Sequence, residues 1–328
     1  MRLGLVLWPD RDARLLAELA TAAEDAGFDD LWWPDHYYAR EAAAVLALAA
    51  ASTRRIRLGT AVTSPLLRHP AILASLFATL HELSDGRALA GLGPGGFELK
   101  TQLAVTTPSP LSATREAVEM LRDMLAGKAA AAPDARVFPV PNAQLGFTGG
   151  APVPIYLAAR GPRMMELAGE VADGLITHGV ATAFLDFAKA RLAEGAARAG
   201  RDPAGCELAV WLEIARGDGH TYRDTLRRRC LYMVGGEFSE SLIPLYGLDP
   251  ERVAPVRAAV RAQDPDAYRL IDDRMVDAFA VGGPPNRVAD ELLAVADAGA
   301  GQIILSPGEG VDASEIAALG TIARRALS

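Results

Sequence analysis

The chain has 328 residues, of which 50% are hydrophobic and 23% are charged, so it can bury a large core and is not compositionally disordered. Its formal net charge is -8, and no run of Lys and Arg alternates with aromatic residues, which argues against a nucleic-acid partner. The longest uncharged apolar run, residues 42–51, is shorter than the roughly 18 residues of a membrane-spanning helix, so we expect no membrane partner either.

In the first part of the chain, short apolar runs alternate with longer segments in which apolar residues recur every three or four positions. This alternation is typical of βαβ units around a parallel sheet. The predicted strands in this part are residues 3–7, 30–33, 56–62 and 87–93. The predicted helices between them are residues 13–26, 41–53 and 70–83.

The same alternation resumes in the second part of the chain. The predicted strands are residues 153–159, 174–177, 207–215 and 301–305, and the predicted helices are residues 162–172, 184–199 and 313–327. Eight strands in this order predict an α/β fold of the (β/α)8 TIM-barrel type. The alternative is an open doubly wound sheet, but Leu7-Trp8-Pro9-Asp10 follows the first strand where such a sheet carries GxGxxG.

Several stretches interrupt the alternation. Residues 97–111 and 130–150 are rich in Pro, Gly and Thr, and residues 217–272 have a helical pattern. Because a barrel of this type accommodates insertions, we expect residues 1–328 to form a single barrel domain. The largest insertion, about residues 217–272, then lies between strands seven and eight.

The amino terminus and the cysteines favour a cytoplasmic location. Met1 leads directly into an apolar strand, with no charged segment, apolar segment and cleavage site of a signal peptide before it. Cys206 and Cys230 form neither a CxxC pair nor a disulfide framework, as expected in a reducing compartment.

The residues that directly follow the predicted strands are the candidates for an active site, because a barrel of this type builds its site at the carboxyl ends of its strands. Asp35 and His36 follow strand two, and an adjacent carboxylate and imidazole suit proton transfer near neutral pH. The alternative for this pair is a helix cap followed by a buried histidine. His178, at the end of strand six, either lines the pocket or belongs to the core.

Small residues follow strands four and five. The segments GPGG at 93–96 and AARGP at 158–162 expose backbone amides and let a flat ring or a phosphate come close. The second segment runs directly into a helix, whose dipole favours an anion there. Each segment alone is also compatible with an ordinary turn, but together on neighbouring strands they favour a phosphorylated cofactor. The sequence has no histidine and acidic pattern such as HExxH, so we expect no metal site.

Ordered sequence blocks at these positions carry a resemblance to a known family. The blocks are LWWPDHY at 31–37, LGTAVTSP at 58–65, RHPAI at 68–72, ATLHELSDGR at 78–87, GLGPG at 91–95, PIYLAARGP at 154–162 and ELAGEVADG at 166–174. They resemble the luciferase-like monooxygenase superfamily. Within it the chain is most similar to the coenzyme F420-dependent branch typified by methylenetetrahydromethanopterin reductase, over nearly its whole length.

The resemblance implies an F420-dependent oxidoreductase that transfers a hydride between the deazaflavin and a small organic substrate. It also implies that Asp35 and His36 are catalytic residues beside the ring, and that Ala61–Val62 is a non-proline cis peptide against one ring face. The phosphate of F420 would lie on the backbone amides of residues 159–162. The implied cofactor-binding residues are Asp35, His36, Thr60, Ala61, Val62, Thr63, Gly93, Pro94, Gly95, Ala158, Ala159, Arg160, Gly161, Pro162 and His178.

The chain departs from the methanopterin reductases that it resembles at two acidic positions, where it carries Val6 and Gly96. Glu98, Glu213 and His36 are therefore alternative candidates for the proton donor. The alternative cofactor is FMN, in a reduced-flavin-dependent monooxygenase of the same superfamily, and a third alternative is a non-catalytic cofactor-binding barrel. The resemblance also implies a homo-oligomer, a dimer or larger.

Overall fold

The computed structural model describes residues 1–36, 38–95, 99, 102–107, 109–147, 152–218, 221–236 and 238–327. Its strands are β1 (Arg2–Val6), β2 (Asp30–Trp33), β3 (Arg57–Thr60), β4 (Ala88–Leu92), β5 (Ala130–Ala132), β6 (Val140–Ala143), β7 (Ile155–Ala158), β8 (Gly174–His178), β9 (Glu207–Arg216), β10 (Ala280–Gly283) and β11 (Gln302–Ser306). Its helices are α1 (Ala13–Asp25), α2 (Ala42–Ser52), α3 (Pro70–Leu83), α4 (Pro110–Leu125), α5 (Pro162–Val171), α6 (Thr182–Arg198), α7 (Thr221–Gly235), α8 (Pro250–Arg261), α9 (Asp273–Asp277), α10 (Pro285–Asp297) and α11 (Ala313–Leu327).

Eight parallel strands close into a barrel in the order β1, β2, β3, β4, β7, β8, β9 and β11. The ring is completed by the parallel pairs of β8 with β9, β9 with β11, and β11 with β1. The predicted (β/α)8 barrel is therefore confirmed. The short antiparallel pair β5–β6 lies within the predicted interruption at residues 130–150.

Strand β10 is not part of the sequence-based prediction. It pairs in parallel with residues 213–216 of β9, and all of these except Glu213 lie beyond the stretch of β9 that pairs with β11. Because β9 is 10 residues long, it extends past the barrel rim and offers this extra edge. The chain from α7 to α9 is thus attached to the barrel mouth.

The helices begin where short polar side chains or prolines satisfy their first turn. The side chain of Asp12 accepts a hydrogen bond from the Arg14 amide at the start of α1. The His69 imidazole does the same for the Ala71 amide, and Pro70 is the first residue of α3. Helix α3 therefore has the bounds that the sequence predicts. Within the described residues, every helix is too short or too polar to cross a bilayer.

Alternation along the strands separates two apolar regions. Outward-facing residues such as Leu3 and Leu5 pack against the helices, and inward-facing residues fill the barrel. The inward-facing apolar residues are Val6, Trp32, Ala61, Leu89, Tyr156, Ile176, Ala209, Trp211 and Ile304. The close approach of β3 to β4 requires glycine at position 91, because an added Cβ would lie 1.8 Å from the Thr60 carbonyl oxygen.

A buried polar network closes the amino-terminal end of the barrel. Asp30 is fully buried and accepts a hydrogen bond from Arg57 Nη2 at 2.6 Å and another from the Gln302 amide. The Tyr156 hydroxyl donates to Glu207 at 2.8 Å, and burial raises the pKa of that hydroxyl above its usual range. Access to the barrel interior is therefore from the carboxyl ends of the strands.

Candidate functional site

The carboxyl ends of the barrel strands open into a cavity of about 1530 Å³. Its wall is formed by residues that follow the barrel strands, together with residues of α7 and α8 from the insertion. Ligand pockets commonly measure about 300–1,000 Å³. The cavity therefore has room for a large cofactor and a second small molecule.

Most of the predicted site residues meet in the wall of this cavity. They are Asp35, His36, Ala61, Val62, Thr63, Gly93, Pro94, Gly95, Ala158, Ala159, Arg160, Gly161 and His178. Thr60 and Pro162 of the predicted set do not line this cavity. The Thr60 hydroxyl is buried and donates to the Gly91 carbonyl at 2.7 Å, so it joins β3 to β4. Pro162 is the first residue of α5, where its missing N–H costs nothing.

The end of β3 and the end of β4 form one rigid side of the cavity. The Ala61–Val62 peptide is cis, as the resemblance implies. The Thr63 amide donates to the Gly91 carbonyl at 3.0 Å, and the Gly93 amide donates to the Thr63 carbonyl at 3.0 Å. An added Cβ at Gly93 would lie 2.6 Å from Val62 Cγ2, so the approach of Val62 requires glycine there.

Asp35 is held by an ion cluster beside this wall. Its carboxylate accepts a hydrogen bond from Thr63 Oγ1 at 2.6 Å and forms an ion pair with Arg68, which also pairs with Glu41. These contacts fix the loop after β2 to the loop after β3. The arrangement suits Asp35 for positioning Thr63 and the neighbouring His36 backbone.

A row of aromatic rings forms another part of the cavity wall. The ring centroids of His36 and Trp8 are 6.0 Å apart, those of Trp8 and Trp211 are 6.5 Å apart, and those of Trp211 and His178 are 5.2 Å apart. The sequence-based candidates omit Trp8 and Trp211. Strand alternation could have identified both residues. Trp8 lies two residues after the inward-facing Val6, and Trp211 lies two residues after the inward-facing Ala209.

Burial sets the charge of His178. It lowers the pKa of the imidazole to about 3, and the charge of nearby Arg160 acts in the same direction. His178 is therefore neutral at physiological pH. A neutral imidazole can donate or accept a hydrogen bond, but it holds no proton that it can give up as an acid.

Glu213 is a buried carboxyl group in the cavity wall, with 3% of its surface exposed. Trp211 Nε1 donates to Oε1 at 3.1 Å, and Ser306 Oγ lies 3.0 Å from Oε2. Burial raises the pKa of Glu213 to about 7, while these hydrogen bonds and the charge of Arg229 oppose the rise. Among the described residues Glu213 has no ion-pair partner. It is thus a group that can hold or release a proton near neutral pH.

The start of α5 presents backbone to the cavity. Its N-cap residue is Gly161, so no side chain of the cap residue covers the first turn, and an added Cβ there would have no atom within 4 Å. The preceding side chain, Arg160, points away to the end of α7, where it donates to the Met233 carbonyl and stacks 4.4 Å from the Phe238 ring centroid. Helix dipole and open amides favour an anion at Gly161.

The insertion contributes arginines that the sequence-based candidates omit. Arg228 and Arg229 of α7 and Arg257 and Arg261 of α8 all line the cavity. Local sequence patterns do not reveal them, since their position depends on how the insertion folds back over the barrel. The sequence-based candidates at Gly96 and Glu98 lie outside the described residues. In the described part of the chain, no cluster of His, Cys, Asp or Glu is arranged to hold a metal ion.

Comparison with known proteins agrees with this geometry. The model of the luciferase-like monooxygenase family matches residues 1–302. The chain belongs to the luciferase-like monooxygenase family.

Proteins with similar sequences have names that refer to reductases and dehydrogenases. A 5,10-methylenetetrahydromethanopterin reductase from Methanolobus tindarius is 33% identical over 307 residues, which cover 93% of each chain. An F420-dependent glucose-6-phosphate dehydrogenase from Beutenbergia cavernae is 34% identical over 235 residues, which cover 67% of this chain and 70% of the dehydrogenase. The solved structure of the coenzyme F420-dependent tetrahydromethanopterin reductase from Methanopyrus kandleri superimposes with a TM-score of 0.90 at 28% identity, covering 100% of this chain and 99% of the reductase.

Proposed function

We propose that this protein is an oxidoreductase that uses coenzyme F420 and transfers a hydride between the deazaflavin and a small organic substrate. The observation that carries the proposal is the meeting of the close-packed Val62–Gly93 wall with the open helix start at Gly161 in one cavity. The names of the similar reductases and dehydrogenases support F420 as the cofactor in preference to FMN.

The cavity fits a flat ring that carries a phosphate. Val62 and Gly93 would lie against the ring, because glycine at 93 leaves the wall flat beside the Val62 side chain. The backbone at Gly161 would hold the phosphate, since it faces open space at a helix start. When bound, F420 supplies a carrier that gives or accepts a hydride at one ring carbon.

The side chains around this space would bind and orient the substrate, and they would exclude water. The aromatic row from His36 to His178 provides an apolar surface against which a substrate can be held at near-attack distance. Asp35 would keep Thr63 in place through its hydrogen bond, and His36 would hydrogen-bond the charge that develops on the substrate.

A titration of the purified protein with F420 and with FMN tests the proposal. Trp8 and Trp211 line the cavity, so F420 binding should quench their fluorescence. Gly161→Asp places a carboxylate where the phosphate would lie and should weaken F420 binding by about 100-fold. The matched control Gly205→Asp lies at another open glycine, on the surface, and should bind F420 normally. FMN binding with oxygen consumption, and no response to F420, would instead favour the monooxygenase alternative.

We also propose that the chain forms one barrel domain and assembles into a homo-oligomer. The contact of Arg160 with α7 supports the single domain, because it joins the barrel to the insertion. Exposed apolar side chains on α2 and α3 support self-association: Leu48 is 41% exposed, Ile72 62% and Leu83 47%. Light scattering measures the mass in solution, and Ile72→Glu should lower it to that of one chain.

A further inference from the structure

Glu213 lies where the inward-facing row of β9 reaches the mouth of the barrel. Ala209 and Trp211 precede it in the same row, and its strand partner across β9 and β11 is Ser306. The side chain lines the cavity next to the aromatic row. A substrate held against Trp211 is therefore next to the Glu213 carboxyl group.

The hydrogen bonds around this carboxyl group fix its orientation. Trp211 donates to one carboxyl oxygen at 3.1 Å, and the Ser306 hydroxyl bonds the other at 3.0 Å. Ser306 Oγ in turn accepts a hydrogen bond from Trp8 Nε1 at 3.4 Å. The indole N–H groups of Trp8 and Trp211 can only donate hydrogen bonds. The Ser306 hydroxyl can instead rotate, and it can accept a hydrogen bond when Glu213 is protonated.

Among the charged and titratable groups around Glu213, we consider which could carry a proton near neutral pH. Arg229 of α7 is the cation that faces it, and Arg229 Nη1 donates to the Ile214 carbonyl at 2.6 Å. Burial raises the pKa of the Cys230 thiol well above its usual range, and burial keeps His178 neutral. The pKa of Glu213 itself, raised to about 7 by burial, agrees with this geometry.

We infer that Glu213 is the proton donor of this site and that the substrate is a small carbonyl or imine compound whose oxygen or nitrogen takes the proton. The inference rests on the proposed function, because it needs a reduced deazaflavin as the hydride source. The substrate carbon gains the hydride, and the π-electron pair of the C=O or C=N bond moves onto the heteroatom. The heteroatom takes the proton of Glu213, which becomes a carboxylate and recovers a proton from water at the cavity mouth.

The first test uses the cofactor-free protein. Infrared difference spectra between about pH 6 and about pH 8 should contain the loss of a protonated carboxyl band, and tryptophan fluorescence should change with the same midpoint near 7. Glu213→Gln keeps the size of the side chain and should abolish both changes. Glu119→Gln, on α4 and outside the cavity, should leave both in place. A wild-type protein without this carboxyl band would overturn the inference.

The second test uses reduced F420 with acetone, benzaldehyde and 1-pyrroline as probes. The wild-type protein should oxidise reduced F420 in the presence of at least one probe. Its kcat should fall above about pH 7, because the donor must be protonated. Glu213→Gln should lower kcat by about 100-fold or more and remove this pH dependence, while Glu119→Gln changes neither. Glu213→Asp, which keeps a carboxyl group, should retain the pH dependence at a reduced kcat.

The outcomes separate the inference from the proposed function. A protein that does not bind F420 contradicts the proposed function, whatever Glu213 does in the cofactor-free spectra. A protein that binds F420 but reduces none of the probes overturns the substrate class. If Glu213→Gln turns over a probe with the wild-type rate and pH profile, Glu213 is not the donor.

Discussion

Replacing Glu213 by glutamine removes one titrating group from the cavity while it keeps the size and shape of the side chain. In the native protein the pKa of Glu213 is raised to about 7 from a usual value of 4.5, mainly because the group is buried. Between these two pH values the native chain holds one proton more than the unfolded chain. Raising the pH through this window therefore lowers the free energy of unfolding, whereas a depressed carboxyl pKa would have the opposite effect.

The magnitude follows from the same pKa values. Each pH unit in the window removes about 1.4 kcal/mol from the free energy of unfolding, so the whole window removes about 3 kcal/mol. The contribution is fully present below about pH 4.5 and is lost above about pH 7. Glutamine does not titrate, so the stability of Glu213→Gln relative to wild type should rise by about 3 kcal/mol across this range.

Urea unfolding of both proteins at a series of pH values measures this difference, because the other titrating groups cancel between them. Met164→Leu changes a neutral cavity residue and should give a curve parallel to wild type. Ser306→Ala should move the window to higher pH, since the Ser306 hydrogen bond lowers the pKa of Glu213. A constant difference between Glu213→Gln and wild type from about pH 4.5 to about pH 8 would refute the reasoning.

Other residues give independent predictions. Gly91→Ala should destabilise the fold by about 3 kcal/mol or more in urea unfolding, because its Cβ would lie 1.8 Å from the Thr60 carbonyl oxygen. Arg57→Ala should cost about 3 kcal/mol in the same assay, since it leaves Asp30 buried without its main cation; an unchanged midpoint would contradict this. The imidazole signals of His178 in NMR spectra should stay constant from about pH 5 to about pH 8, because its pKa is lowered to about 3, and a midpoint near 6.5 would disprove its burial as a neutral group.

The alternation of the sequence is sufficient to predict the barrel. Its strands are short and apolar, and the helices between them carry their own start signals, as at Pro70 of α3. Strand β10 escapes prediction for a physical reason. It consists of residues 280–283, half of them glycine, and it becomes a strand because β9 extends beyond the barrel and offers an edge to pair with.

The candidate site is predictable in part. The position after a strand identifies Asp35 and His36 as candidates. It does not reveal that the Asp35 carboxylate is hydrogen-bonded to Thr63 and ion-paired with Arg68. The cis peptide follows from family resemblance and not from the local residues Ala61 and Val62. The position of the arginines of the insertion at the cavity depends on tertiary folding, and local sequence patterns do not predict it.

The inward-facing positions at the barrel mouth are interchangeable in one physical sense. Side chains from different strands project into the same cavity, so a group that is missing from one strand can be supplied from another. The family resemblance of the sequence predicts a carboxylate at the position of Val6 in β1, where the side chain is apolar and buried. Here Glu213 of β9 brings a carboxyl group to the same mouth, separated from β1 by β11 alone. A proton delivered from Glu213 requires an acceptor atom that faces β9, so we expect this strand to determine how a substrate is oriented in the cavity.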